Sequence, residues 1–288
     1  MKQILQDLKN GNTYLEEVPC PAVIDEHVII QTTKSLISLG TERMLVEFGK
    51  ANLVQKALSQ PDKVKDVIDK VRNDGVISTY EAVTSKLSQP LPLGYCNVGI
   101  VQDSKTDMFK KGDRVVSNGY HAEFVRVPKN LVVRIPEDVS DESASFVVPS
   151  AIAMQGIRLI NPKIGDCVVV YGLGLIGLLS VQILVANGCR VLGLDFDTNR
   201  CKLAKNFGAD VLDLSKESNL ESFTNAFSRG RGVDSVLITA SSPSNEIIDN
   251  SALICRKKGK IVLVGVIGLE LKRSLFYEKE LTFQVSCS

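Results

Sequence analysis

Charge imbalance is the first thing this chain lacks. Lys and Arg number 34 against 33 Asp and Glu, a formal net charge of +1. Electrostatics therefore make no case for a nucleic acid or an anionic membrane as partner. The N-terminal MKQILQDLKNGN is too polar for a secretory signal peptide. None of the seven cysteines (Cys20, Cys96, Cys167, Cys189, Cys201, Cys255, Cys287) stands in C-x-x-C spacing. An odd number, with several in apolar runs, predicts free thiols in a reducing cytoplasm. No low-complexity tract occurs, and no repeat beyond an alternation of strand and helix patterns in the second half.

What is present is apolar residue and glycine punctuation. At 288 residues and 44% hydrophobic content the chain has enough for two buried cores. The organising stretch is Cys167 to Asp195, CVVVYGLGLIGLLSVQILVANGCRVLGLD. A β-branched run, Cys167–Tyr171, leads into Gly172, Gly174 and Gly177, then a helical pattern to Asn187, then a second run, Arg190–Leu194, that ends on Asp195. That is strand, glycine-rich turn, helix and strand carrying G-x-G-x-x-G, with an acid 18 residues after the third glycine.

Each part has a physical job. Gly172 allows the tight turn, Gly174 lets backbone approach a pyrophosphate, and Gly177 lets the helix pack on the strand. Free N–H groups at the helix start, including those of Leu175 and Ile176, favour phosphates. Asp195 accepts from both adenosine ribose hydroxyls and repels a 2′-phosphate, and the next residue, Phe196, brings no positive charge. NAD is expected over NADP. Residues 167–189 carry no charge and are long enough to span a bilayer, but the glycines and the switch in periodicity predict a buried βαβ unit instead.

The first half reads differently. Tyr14–Val18 and Glu26–Thr33 read as strands, and Ser35–Leu39 continues extended towards Gly40. Arg43–Gly49, Leu53–Ser59, Lys63–Asn73 and Tyr80–Leu87 have helical spacing, a helical insertion over about 43–88 that serves as a lid or interface surface. From Pro90 the β pattern resumes through Leu93–Val101, a turn feeding a strand over Phe109–Val116, Ala122–Val127 and Leu131–Ile135. Asp141–Ile160 reads as one helix. After Asp195 come helix Thr198–Phe207, strand Asp210–Leu214, helix Leu220–Phe227, strand Ser235–Thr239, helix Ser244–Cys255, strand Lys260–Val266 and strand Leu281–Ser286. The expected fold is α/β, an N-terminal β domain over 1–140 and a doubly wound parallel sheet over 141–288. Ligands lie beyond the carboxyl ends of such strands, which points to Gly172–Gly177, Asp195, Thr239, Ala240, Val264 and Gly265 as one rim.

The phrases G-D-R-V at Gly112–Val115, A-E-F-V at Ala122–Val125 and Ile135-Pro136, followed by this sheet, resemble the medium-chain dehydrogenase/reductase superfamily of zinc alcohol dehydrogenases and quinone reductases. Ser38–Met44, Gln89–Tyr95, Gly172–Leu178 and Phe276–Leu281 are similar to phrases of bacterial bi-domain oxidoreductases from surface-polysaccharide gene clusters. In those proteins a dehydrogenase-like half joins a glucose–fructose-oxidoreductase-like (Gfo/Idh/MocA-like) half. The resemblance implies a GroES-like β-barrel before a Rossmann domain, a small-molecule substrate, and either a homo-oligomer or a fused or separate Gfo/Idh/MocA-like partner. It also implies that family elements beyond Leu281–Ser286 are missing.

The family's catalytic zinc needs ligands where this chain has Leu39 and Tyr95, and Val147–Ser150 offers no thiolate, imidazole or carboxylate. No Cys occurs between Cys96 and Cys167, so the structural-zinc lobe is absent as well. No zinc is expected, and His27 and His121 read as surface or turn residues. Carbonyl polarisation then falls to hydrogen-bond donors. The resemblance places Thr41 at the proton-relay hydroxyl and Tyr95 at the zinc-binding His, with Glu42 and Cys96 beside them; Cys96 reads as a small buried residue. The expectation is a zinc-independent, NAD-dependent oxidoreductase acting on an alcohol or carbonyl, such as a sugar derivative. The alternatives are an NADPH-dependent quinone or enone reductase and a catalytically silent dinucleotide-binding scaffold.

Overall fold

A computed structural model of the chain describes residues 1–52, 55, 56, 64, 85, 88–217 and 219–287. The chain divides into two units, Met1–Val148 and Pro149–Ser288.

In the first unit, β1 (Lys2–Gln6) pairs antiparallel with β2 (Thr13–Glu17) and with β4 (Leu91–Pro92). A second sheet holds β3 (His27–Ser35), β5 (Asn97–Ser104), β6 (Arg114–Ser117), β7 (Phe124–Pro128) and β8 (Val132–Arg134), in the order β7-β3-β5-β6-β8 and antiparallel throughout. Val28, Ile30, Val101, Val115, Val125 and Val127 bury the inner face, the alternation that a one-sided sheet requires. Gly99 sits beside a register shift between β3 and β5, and a Cβ there would lie 2.1 Å from the Gln31 carbonyl oxygen. No side chain fits that approach.

The chain leaves β3 at Ser35 and enters α1 (Leu39–Lys50). The extended run expected over Ser35–Leu39 thus ends at Ser35, and Ser38 becomes the helix N-cap. Of the helical insertion, α1 is described together with Gln55, Lys56, Val64 and Ser85, each in helical conformation; the rest of the helices expected at Leu53–Ser59, Lys63–Asn73 and Tyr80–Leu87 lies outside the described residues.

The single helix expected over Asp141–Ile160 is two, α2 (Asp141–Ala144) and α3 (Val147–Ile160). Pro149 explains the break: it has no N–H to donate and disfavours helix in the residue before it, so it is tolerated only in a first turn.

The second unit is a six-stranded parallel sheet: β9 (Cys167–Tyr171), β10 (Arg190–Asp195), β11 (Asp210–Asp213), β12 (Val233–Ile238), β14 (Cys255–Leu263) and β16 (Thr282–Val285), with two-residue strands β13 (Ser241–Ser242) and β15 (Val266–Ile267) paired at its rim. Its order is β11-β10-β9-β12-β14-β16, reversing at β9. All five residues of β9 are buried, which is why its sequence is a continuous apolar run. Cys167, Val169 and Tyr171 face one core layer with residues of α6 (Leu220–Phe227) and α7 (Glu246–Ile254). Val168 and Val170 face the other with α3, α4 (Leu175–Ala186) and α5 (Thr198–Asn206). Helices on both faces make the sheet doubly wound. β14 starts at Cys255 and ends at Leu263, earlier at both ends than the run Lys260–Val266. The uncharged stretch after β9 is covered because α4 is a 12-residue helix in this layer. No helix among the described residues is long and apolar enough to cross a membrane.

Candidate functional site

The glycine turn is built by close approach. Gly172 has φ +97°, and a Cβ on it would lie 2.6 Å from the Ala240 backbone nitrogen. A Cβ on Gly177 would stand 1.9 Å from the Gly172 carbonyl oxygen. Gly265 presses the same way on Ala240, whose carbonyl oxygen lies 2.0 Å from its Cβ position. Thr239 Oγ1 donates to the Gly172 carbonyl at 2.6 Å, and the Val264 N–H donates to Ile238 at 2.8 Å. Gly172, Gly177, Thr239, Ala240, Val264 and Gly265 therefore gather at the carboxyl ends of β9, β12 and β14.

Gly174 is different. A Cβ there would meet nothing within 4 Å among the described residues. It is the N-cap of α4 and offers no capping side chain, so the first N–H groups of Leu175 and Ile176 have no intrahelical acceptor. The helix dipole adds partial positive charge at this end.

Asp195 closes the cradle. Its Oδ2 accepts from the Leu173 N–H at 2.7 Å and its Oδ1 from the Asp197 N–H at 2.9 Å. Sequence reading missed a neighbour. Arg200 Nη1 lies 3.7 Å from Asp195 Oδ2 and Arg200 Nε 3.8 Å from Asp197 Oδ2. The signal was available: Arg200 lies in the first turn of the helix that begins at Thr198, directly after the strand bearing Asp195.

The first unit gathers a second set of groups. Thr41 stands exposed on the first turn of α1, and its hydroxyl makes no hydrogen bond among the described residues. Tyr95, partly buried, donates its phenol to Ser38 Oγ at 2.7 Å. The buried Glu42 accepts the Ser38 N–H on Oε1 at 2.8 Å and faces His121 Nε2 with Oε2 at 3.0 Å. His121 Nδ1 meets Ser35 Oγ at 2.8 Å. His121 lies in a bend before β7, but it is not at the surface: its side chain is 6% exposed. It was misread because its partners come from β3 and α1, 86 and 79 residues away in sequence. His27 does lie at the surface end of β3, its ring against the Asp25 carbonyl. Burial, with the Glu42 charge adding, pushes the Cys96 thiol up to about 12, so it stays protonated.

The places where a zinc-type enzyme holds its metal were tested by their donors. Leu39 is exposed and apolar, and the Tyr95 phenol is engaged with Ser38. Glu42 and His121 spend their facing atoms on each other. No group of three His, Cys, Asp or Glu able to hold a metal occurs among the described residues. A tetrahedral zinc site needs such a set, and these residues do not supply one.

Residues 176–287 match the family described as zinc-binding dehydrogenase. The chain is 28% identical over 273 residues to an L-threonine 3-dehydrogenase of Rhizobium etli, covering 92% of this chain and 76% of that protein. It is 27% identical over 183 residues to an alcohol dehydrogenase of Geobacillus stearothermophilus, a match spanning 63% of this chain and about half, 52%, of that protein. A Sinorhizobium meliloti protein solved bound to NADP superposes with a TM-score of 0.77 at 21% identity, over 99% of this chain and 83% of the other. The fold is that of the medium-chain dehydrogenases, and in sequence the chain is similar to their alcohol-dehydrogenase-like, zinc-type members.

Proposed function

We propose that the chain is an NAD(H)-dependent oxidoreductase that works without zinc, interconverting an alcohol and a carbonyl. The observation that carries this reading is the cradle at Gly172–Gly177 with Asp195 pinned beside it. The open space over Gly174 and the free N–H groups of α4 suit a pyrophosphate. Asp195, already oriented by two backbone donors, keeps lone pairs for ribose hydroxyls. When bound, the nicotinamide cofactor supplies or accepts the hydride.

Arg200 favours a second reading, NADPH, because a guanidinium can receive a 2′-phosphate. Against it, Arg200 is flanked by two carboxylates, Asp195 and Asp197. A 2′-phosphate placed there meets more negative than positive charge, and NAD(H) remains the choice.

Polarisation of the substrate oxygen is assigned to the first unit. Tyr95 is the candidate hydroxyl because it is partly exposed and held by Ser38. Thr41 is the second candidate, exposed but unanchored. The sugar-derivative substrate, and a fused or separate Gfo/Idh/MocA-like partner, are proposed on the phrases Ser38–Met44 and Phe276–Leu281 alone.

Turnover under chelation tests the reading. The purified chain is given NADH with aldehydes, ketones and ketoses, and NAD with L-threonine and secondary alcohols, before and after dialysis against a zinc chelator. Turnover that survives chelation, in protein without stoichiometric zinc, is expected. Activity that is lost on chelation and restored by zinc contradicts it.

A further inference from the structure

The strongest unassigned feature is the buried pair of Glu42 and His121. Both side chains are less than a tenth exposed, at 9% and 6%. Among the described residues, His121 is the sole basic side chain within ion-pairing distance of Glu42. A carboxylate at that depth keeps a partner or costs stability. The pair is also built with care. Gly94 has φ +93°, and a Cβ on it would strike the His121 ring at 2.7 Å, so only glycine lets this loop close over the imidazole. The His121 backbone is fixed on both sides: its N–H donates to the Leu93 carbonyl at 2.8 Å, and its carbonyl accepts the Ile4 N–H at 2.9 Å.

The pair leads to Tyr95 by two routes. Gly94, which packs on the ring, precedes Tyr95 directly in the chain. Glu42 holds the Ser38 N–H at 2.8 Å, and Ser38 Oγ accepts the Tyr95 phenol at 2.7 Å. Both neighbours of the phenol, its own backbone and its hydrogen-bond acceptor, are thus set by the same two side chains.

We propose that Glu42 and His121 are positioning residues that fix the Tyr95 phenol through Ser38 and Gly94. The proposal rests on the reading that gives Tyr95 a role in the reaction. Neither residue need touch a substrate. What the pair provides is a buried, mutually hydrogen-bonded couple that holds one hydroxyl in one direction, the condition under which a donor contributes to a transition state without reorganising.

The test is a double-mutant cycle with a spectroscopic arm. Tyr95→Phe, His121→Leu, Ser38→Ala and the pairs with Tyr95→Phe are assayed on the substrate turned over best in the panel above. Tyr95→Phe is expected to lower kcat on the order of 100-fold, and His121→Leu about tenfold with KM nearly unchanged. In the Tyr95→Phe background, His121→Leu and Ser38→Ala should cost little more. His121→Gln, which keeps a donor towards Glu42, should restore much of the rate.

The second arm follows the Tyr95 resonance in protein labelled with 13Cζ-tyrosine, identified by its loss in Tyr95→Phe. It should shift in His121→Leu and in Glu42→Gln. The latter keeps size and serves if His121→Leu fails to fold. Costs that multiply in full, or a resonance that does not move, overturn the proposal. A Tyr95→Phe chain with full activity and a resonance that still shifts removes Tyr95 from the reaction while leaving the positioning intact. Without any turnover, the resonance alone decides.

Discussion

Gly177 has no room for a side chain, because the Gly172 carbonyl oxygen occupies the place of its Cβ at 1.9 Å. Backbone cannot step aside as a flexible side chain can. Gly177→Ala should therefore cost at least the upper part of the ~1–3 kcal/mol that overpacking costs, read as a lowered denaturation midpoint. Gly174→Ala, with nothing within 4 Å of the added methyl, should leave stability nearly unchanged and weaken NADH binding. The cysteines make a second prediction at this scale. Cys20 and Cys287 are exposed and the other five are buried. Burial pushes the Cys255 thiol, like that of Cys96, up to about 12. A thiol-disulfide reagent at pH 8 should modify two cysteines quickly in the native protein and the other five only on unfolding.

At the scale of elements, the end of β11 shows how one side chain ties several together. Asp213 takes hydrogen bonds from Lys216, from Ser215 and, at 2.6 Å, from Thr198 Oγ1 at the start of α5. The Lys216 contact is the largest cause holding its carboxyl far below the usual carboxylate range. A carboxyl depressed in the folded state stabilises above its unfolded value and loses that contribution as pH falls through its folded value. Asp213→Asn should thus lower the melting temperature at neutral pH. The gap from the parent chain should close as pH drops below about 4. The elements were largely legible in sequence where one period dominated. β9 is a continuous apolar run that ends at Gly172, β10 is the apolar run Val191–Leu194 closed by Asp195, and β3 carries the apolar run Val28–Ile30. The boundary errors share a cause: propensity does not see caps or proline geometry. Pro149 split one apparent helix into two, and Ser38 ended a strand-like run by becoming an N-cap. The apolar residues of β1 carried too short a pattern to be read as a strand.

Across the whole molecule, what could be read in sequence was the set of residues that lie close in the chain. The glycine cradle spans six residues and its acid follows in the next strand, so local order revealed it. The cluster of Ser35, Ser38, Glu42, Tyr95 and His121 joins three separate stretches of the first unit and becomes visible only when the sheet is closed. Arg200 falls between these cases, near in sequence but seen only once the helix after β10 is wound. The two units carry different parts of the proposed function, the second the dinucleotide and the first the hydroxyl chemistry. The claim on which the rest depends is that the second unit holds NAD(H) through Asp195. Binding of NADH and NADPH to the parent chain and to Asp195→Gly, followed by calorimetry, tests it most directly. Any local loosening from the lost Leu173 and Asp197 hydrogen bonds would weaken both cofactors alike, so the ratio isolates the ribose contact. The account predicts tighter binding of NADH than NADPH by the parent chain, and a loss for NADH of ~10–100-fold with a much smaller loss for NADPH. Tighter NADPH binding by the parent chain, or equal losses for both cofactors, would contradict it.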